Sequence, residues 1–543
     1  MKNTFRLLVL KPHFSFFLLL TFWSLNTQAG SIDTIALSVS EAIRSEATRP
    51  DLSEVGRPLP LAAHWNTGQL AGGFSPAYQM QLIQQGHHIL SWFQMPDPYE
   101  KPLGDVYYEG PVKEAARHGL PISFVGTEWE RYLSDDPAYS KLPGAMNPNV
   151  VTKDRKVKDK VSPFGPVAPW YDLGKKWTTT KLLQRLQAWY PNPPLVLFLS
   201  NNEHRKLQWH EVEEDVRYIE RYGASRTDEF KREVVGDGWI ERYRTLQKGM
   251  KDGLTNQNWR QRSRLIAYNA FGLSVLGRWG GWEKYSLYAS NRLEPWPLAW
   301  DGTSSSYYVN DWDSSTDYRV MSPQVQSMNW VFMQKEAYNL NPEFWFEIST
   351  WDGHVPAERT DKREFYARRG QVFSPERYEG FVQFGMWLLR PRIIREFRGW
   401  RDTAEHSGAY FMAVVNSVDR VHNNPILRRF WRKGDLVVNP DYRHPYQISI
   451  PKDYQGVQRW FLLSTDKDPK RPWDLETELP VFSIALVIGK QPTREWLVYA
   501  HSPIRETKNV TISLPGYGQV TIDSSPRGVF YQVFEANKQI VKL

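Results

Sequence analysis

The sequence has no cysteine among its 543 residues. That absence excludes disulfides, thiolate metal sites and a cysteine nucleophile together, so any chemistry must rest on oxygen and nitrogen groups. No apolar run reaches the ~20 positions that a membrane-spanning helix needs. No block of like charge marks a nucleic-acid-binding tail, and no repeat period or low-complexity tract is present. Three enzyme signatures are missing as well. No Gly-x-Gly-x-x-Gly turn follows the first apolar run, so a dinucleotide site has no support. There is no Gly-x-Ser-x-Gly elbow of a serine hydrolase. His210-Glu211 is followed by Val212, Glu213 and Glu214, so the second histidine of a zincin is lacking. His87 and His88 are neighbours, and neighbours on a strand point to opposite faces, so a satisfied pair is expected there rather than a metal site. Neither a metal nor an organic cofactor is expected.

What is abundant is aromatic. Trp, Tyr and Phe number 24, 27 and 26, while Met is only 10. Large rings serve as core filler and as flat faces for ligand stacking, and the excess favours a protein that grips CH-rich surfaces. The formal net charge is +8, but Lys2, Arg6 and Lys11 lie in the first thirty residues, which hold no Asp or Glu. The remainder therefore carries +5, a mild balance that suits an anionic ligand slightly and nucleic acid not at all. Residues 1–29 read as a secretory signal: the three basic residues, an apolar run from Phe14 to Leu25, and Thr27-Gln28-Ala29 as a small-residue cleavage site. A secreted or periplasmic protein with no integral membrane segment after signal removal is expected.

From about residue 60 to 395, short apolar runs alternate with longer amphipathic stretches, which is the sequence form of βα units. Eight runs are legible, beginning near Leu61, His88, Pro121, Leu195, Arg264, Trp296, Phe344 and Phe381. Eight units over that length fit an α/β fold of the (β/α)8 TIM barrel type with long loops. After about residue 435 short alternating runs, such as Glu495 to Ala500 and Asn509 to Leu514, sit between Pro, Gly and Asp turns and read as a C-terminal antiparallel β-sandwich. The expected division is a signal at 1–29, a barrel at 30–434 and a sandwich domain at 435–543.

In such a barrel the reactive groups stand where strands end, and two carboxylates occupy such places. Glu203 follows the fourth run through Asn201-Asn202, and Glu347 follows Phe344-Trp345-Phe346 of the seventh. On these residues the chain resembles the retaining (β/α)8 glycoside hydrolases grouped as clan A, with the galactan-degrading enzymes of the agar and carrageenan kind as the suggested relatives. The resemblance implies that Glu203 is the acid/base, Glu347 the nucleophile and Asn202 the residue holding the sugar 2-hydroxyl. Many clan members have Pro after the acid; here it is His204. Retaining hydrolysis needs the two carboxyls about 5–5.5 Å apart, a gap that strands four and seven can set across a barrel mouth. Two plainer roles stand beside these: Glu203 in the first turn of a capped helix, and Glu347 as an ion-paired strand residue.

The other expected substrate contacts are His64 and Trp65 after the first run, Trp129 after the third, Trp300 and Tyr307 or Tyr308 around the sixth, Trp351 after the seventh and Trp387 at the end of the eighth. Arg278, Arg319, Arg390 and Arg392 would suit sulfate or carboxylate groups on a sugar chain. The expected partner is thus a polysaccharide or oligosaccharide, with endo cleavage of a sulfated marine galactan as the leading activity. An exo-acting β-glycosidase, a hydrolase of a neutral β-glycan, and a non-catalytic exported carbohydrate-binding protein are the alternatives.

Overall fold

The computed structural model describes residues 59–65, 74–98, 104–201, 205–268, 287–308, 331, 334–351, 374–397, 403–440, 458–466, 480–502 and 505–543. Eight parallel strands form one sheet: β1 (Leu61–His64), β2 (Ser91–Gln94), β3 (Ile122–Thr127), β4 (Val196–Ser200), β5 (Ser263–Ala267), β6 (Gly302–Tyr308), β7 (Trp345–Trp351) and β8 (Ile393–Glu396). From β2 to β8 each pairs with the next in chain order, and β8 pairs in parallel with β1. The remaining gap, between β1 and β2, is closed by a parallel bridge from Ala62 to Ile89. Two backbone bonds make that bridge, Ala62 N–H to the His88 carbonyl at 3.0 Å and Leu90 N–H to the Ala62 carbonyl at 2.8 Å. The expected (β/α)8 barrel is therefore present.

Strands buried on both faces read as continuous apolar runs, which is why Val196–Ser200 was legible. The residues Leu195, Leu197 and Leu199 join one core cluster, while Val196 and Phe198 join the one lying under the surrounding helices. Outside β4 and β5, the helix Asp228–Gly253 starts at a Thr227 cap, with Asp228 and Glu229 in its first turn complementing the helix dipole. It lies against Ala168–Thr178 so closely that a Cβ on Gly249 would collide with the Tyr171 carbonyl.

Two of the eight expected strands fall elsewhere. The sixth run is a short helix, Trp296–Ala299, with Pro297 in its first turn, and β6 follows it with the sequence Gly-Thr-Ser-Ser-Ser-Tyr-Tyr. The eighth run lies inside the helix Pro375–Leu389, which Ser374 caps by accepting from Arg377 N–H. This helix is buried from Arg377 to Leu389, between the barrel and the C-terminal sheet. A helix with no wet face lacks an amphipathic pattern, so its run of apolar residues mimics a strand.

The C-terminal strands form an antiparallel sheet in the order Asp435–Leu436, Phe482–Ile488, Glu495–His501, Val529–Phe534 and Gln539–Lys542. A separate hairpin of Thr507–Leu514 and Gly518–Ser524 covers it, as expected of a sandwich. Along Glu495–His501, Trp496 and Val498 pack under the hairpin, while Leu497 and Tyr499 enter the core shared with the barrel helices. The Tyr499 hydroxyl donates to the Gly380 carbonyl of the buried helix at 2.7 Å.

Candidate functional site

Register fixes what lines the barrel on the side of β6, β7, β8 and β1. At one level Ser304, Glu347, Ile393 and Leu61 are partners, and at the next Ser306, Ser349, Arg395 and Ala63. Above these, Tyr308 pairs with Trp351, Phe397 N–H bonds the Thr350 carbonyl at 2.7 Å, and Trp65 N–H bonds the Glu396 carbonyl at 2.8 Å. The lining thus changes from small and polar to aromatic at the C-terminal ends of the strands, the end at which barrels of this type do their chemistry.

The rings close over that end. Trp65 follows β1 and Tyr268 follows β5, on opposite sides of the barrel, yet their ring centroids are 5.3 Å apart and meet edge to face. Phe397, after β8, completes the group at 5.9 Å from Trp65 and 6.4 Å from Tyr268. All three are only partly buried. Tyr268 N–H bonds the Ser200 carbonyl at 3.0 Å, which brings the group beside the end of β4. There Asn201 Nδ2 donates to Glu128 Oε1 at 3.2 Å, and Glu128 directly follows β3. An apolar platform with adjoining amide and carboxylate groups is thereby assembled from five loops.

Glu347 is not on this surface. It is the third residue of β7, points into the barrel and is fully buried. Arg395 donates through Nε to Oε2 at 2.5 Å and through Nη2 to Oε1 at 3.3 Å; Trp345 Nε1 donates to Oε1 at 2.9 Å. Arg395, equally buried, also reaches Ser123 Oγ at 3.1 Å across the interior. A nucleophile needs an oxygen that can approach an anomeric carbon, and here both oxygens are committed inside the barrel. The ion-paired alternative is the one this geometry matches.

The other expected contacts divide sharply. Trp65 and Trp351 stand at the mouth, and Tyr308 ends β6 there, with its side chain outside the described set. Asn202 and Glu203, like Arg278 and Arg319, lie outside the described residues. Five residues pack away from the mouth. His64 is buried, stacked on Phe74 at 3.8 Å, with Nε2 3.5 Å from Glu396 Oε2. Trp129 meets Trp177 edge-on at 5.0 Å. Trp300 packs on Tyr243 at 4.2 Å, and burial together with Glu130 keeps that phenol protonated. Tyr307 stacks on Phe381 at 4.7 Å, and burial raises its hydroxyl well above the usual phenol range. Trp387, inside the buried helix, lies 5.2 Å from Trp431 and 5.4 Å from Phe530. In each case the alternation of the strand or the face of the helix turns the ring to the core.

The expected anion contacts Arg390 and Arg392 are also core residues. Arg390 donates to the Trp431 carbonyl at 3.2 Å and to that of Gly434, and Arg392 lies over the Trp345 ring at 4.6 Å. His87 and His88 are satisfied as expected, both bonding Asp419, at 2.7 and 2.8 Å. Among the described residues no group of three or more His, Cys, Asp or Glu could hold a metal. Sequence reasoning passed over Tyr268, Phe397, Asn201 and Glu128. Tyr268, Asn201 and Glu128 directly follow strands that apolar runs mark, so the position just past each run was the available signal, whereas Phe397 follows β8, which no such run marks.

The fold and this site define an eight-stranded parallel barrel with an aromatic mouth and a C-terminal β-sandwich. No family model matches the sequence, and no curated protein does. Among solved structures the chain is similar to a GH36 alpha-galactosidase from Geobacillus stearothermophilus in complex with 1-deoxygalactonojirimycin, at 11% identity and a TM-score of 0.41, covering 93% of this chain and 58% of that one. The raffinose complex of that enzyme gives 10% identity and the same TM-score and coverage. A family 51 alpha-L-arabinofuranosidase from Bifidobacterium longum gives 11% identity and a TM-score of 0.29, covering 84% of this chain and 87% of that one. The chain thus spans less than two thirds of the galactosidase's length.

Proposed function

We propose that the protein is an exported retaining glycoside hydrolase that binds a β-linked polysaccharide across the mouth of the barrel. The observation that carries this reading is the ring group of Trp65, Tyr268 and Phe397 at the C-terminal ends of the strands. Aromatic faces suit the CH-rich faces of pyranoses, and the Asn201–Glu128 pair beside them offers the amide and carboxylate groups that recognise hydroxyls. Glu203, two residues beyond Asn201, is the acid/base in this reading. The signal at 1–29 supports export.

A galactan of the agar or carrageenan kind is the proposed substrate, cleaved internally. The core positions of Arg390 and Arg392 remove two of the cations that favoured sulfate, and on that ground a neutral β-glycan is the second reading. The buried state of Glu347 favours a third, a carbohydrate-binding protein without turnover. One experiment separates them: incubation of the mature protein with a panel of neutral and sulfated galactans, mannans and glucans, with sizing of products and measurement of binding. Cleavage of one β-glycan, abolished by Glu203→Gln, supports the hydrolase. Binding without cleavage selects the third reading, and neither binding nor cleavage overturns all three.

A further inference from the structure

We propose that the outer face of the helix Pro425–Lys433 is a binding surface for a polysaccharide that carries sulfate esters. The inference goes beyond the reading of the barrel mouth and does not depend on it. The helix stands at the opposite end of the barrel: His422, just before it, bonds the Pro60 carbonyl ahead of β1, and Gly434, just after it, accepts from Arg390 ahead of β8.

The sequence of the helix is Pro-Ile-Leu-Arg-Arg-Phe-Trp-Arg-Lys. Leu427, Phe430 and Trp431 are buried in the core that the barrel shares with the C-terminal sheet, so the apolar side is already in use. Arg428, Arg429, Arg432 and Lys433 make the other side cationic throughout. One acid answers them. Glu495 accepts from Arg429, with Oε1 at 3.2 Å from Nη1. Among the described residues no carboxylate pairs with Arg428, Arg432 or Lys433.

The ordinary explanation for cations on a short helix is the dipole, which accounts for Arg432 and Lys433 in the last turn. It does not account for Arg428, which lies in the first turn, where the dipole opposes a positive charge. Arg428 and Arg432 are also four residues apart, on one face with Cβ atoms about 5–6 Å from each other, a spacing at which like charges destabilise a helix. Burial first, and then Arg428, push the Arg432 guanidinium below its usual range, and no acid offsets them. Arg432 is half-buried, and its Nε–H, shielded from solvent, has no acceptor among the described residues. Asp419, which acts with Arg428 on His422, is taken up by His87 and His88 at 2.7 and 2.8 Å.

A shielded donor and an unanswered like-charged pair are what an oxyanion from outside would satisfy. The three free oxygens of a sulfate ester can bridge the pair, where the planar fork of a carboxylate matches one guanidinium. From Arg428 to Lys433 the cations extend about 7.5 Å along the axis, so a chain with repeated charges has more than one point of attachment. With its apolar side in the core, the helix has nothing to insert into a bilayer.

The test is titration of the full-length mature protein with dextran sulfate, neutral dextran, inorganic sulfate and phosphatidylglycerol vesicles over a range of salt concentrations. Dextran sulfate alone should bind well, more weakly as salt rises. The double variant Arg428→Gln/Arg432→Gln should lose about tenfold or more in affinity, and its slope of log K against log salt should shrink by about two, one for each cation removed. Its unfolding midpoint should match or exceed that of the parent, since the repulsion is gone. Arg428→Gln alone should show about half of the slope change. Lys153→Gln/Lys156→Gln removes the same charge from an exposed hairpin tip and should leave binding unchanged. Equal losses in the two double variants would assign the binding to net charge and overturn the inference. Failure to bind dextran sulfate, equal binding of neutral dextran, preference for the vesicles, or binding of inorganic sulfate as tight as that of the polymer would overturn it as well.

Discussion

Arg395 and Glu347 face one another from adjacent strands inside the barrel, neither with any exposed surface, at 2.5 Å between Nε and Oε2. Such a pair is weak evidence of net stabilisation, because desolvating both charges offsets much of their attraction. Loss of one partner is another matter, since it strands the other charge. Glu347→Ala and Arg395→Met should each destabilise the fold by about 3–5 kcal/mol. Urea denaturation checks this; a change below about 1 kcal/mol would show that the pair is not sealed from water.

Trp65 and Tyr268 should act through binding. Replacing either by Ala removes a ring worth about 1 kcal/mol in stacking, so affinity for the glycan should fall by about fivefold, with little loss of stability because both are only partly buried. Calorimetric titration of the variants with oligosaccharide gives the number. Unchanged affinity would move the glycan off these rings.

Trp387→Ala should behave in the opposite way. The ring fills the space between Trp431 and Phe530, and its removal should cost about 3–5 kcal/mol. The folded fraction should bind glycan as the parent does. Weaker binding at unchanged stability would return Trp387 to the substrate.

The seam between β1 and β2 carries a pH dependence. His422 stacks on His88 at 3.7 Å and bonds the Pro60 carbonyl at 2.7 Å, and burial lowers its pKa to about 4 from 6.5. A histidine held neutral in the folded state takes up a proton more readily when unfolded. Stability should therefore be unaffected by this group above pH ~6.5, and should fall by up to about 3 kcal/mol as pH drops from there to ~4. Asp419, held below the usual carboxylate range by His88 and His87 against its own desolvation, adds a loss at the acid end of that window. Urea midpoints between pH 4 and 7 should slope less in His422→Gln than in the parent; parallel slopes would refute the assignment.

The barrel was legible in the sequence because β1 to β5 and β7 carry apolar runs on strands covered on both faces. β6 was displaced because its Thr and Ser residues satisfy one another and nearby carbonyls, as Thr303 and Ser305 do at 2.5 Å, so no apolar run marks it. β8 was hidden by brevity, and because its Arg395 finds a counter-charge within the barrel. Among ring residues, composition could not separate a platform from a core. Trp65 and Trp129 each follow a strand closely, but one ends on the inward series and the other opens a helix that turns it away. The ion pair of Glu347 was equally out of sight, since its partner stands 48 residues away on a strand that the apolar pattern did not reveal.

The strand Glu495–His501 has a consequence for how the chain reaches its final state. Its even-numbered residues Trp496 and Val498 belong to one core, and its odd-numbered Leu497 and Tyr499 to another. A slip of one residue in its pairing would turn each set toward the wrong core at once. Pairing of the C-terminal sheet and its packing onto the helix Pro375–Leu389 thus depend on the same register. A chain ending near residue 434 would leave that helix with an uncovered apolar side, prone to association with other chains.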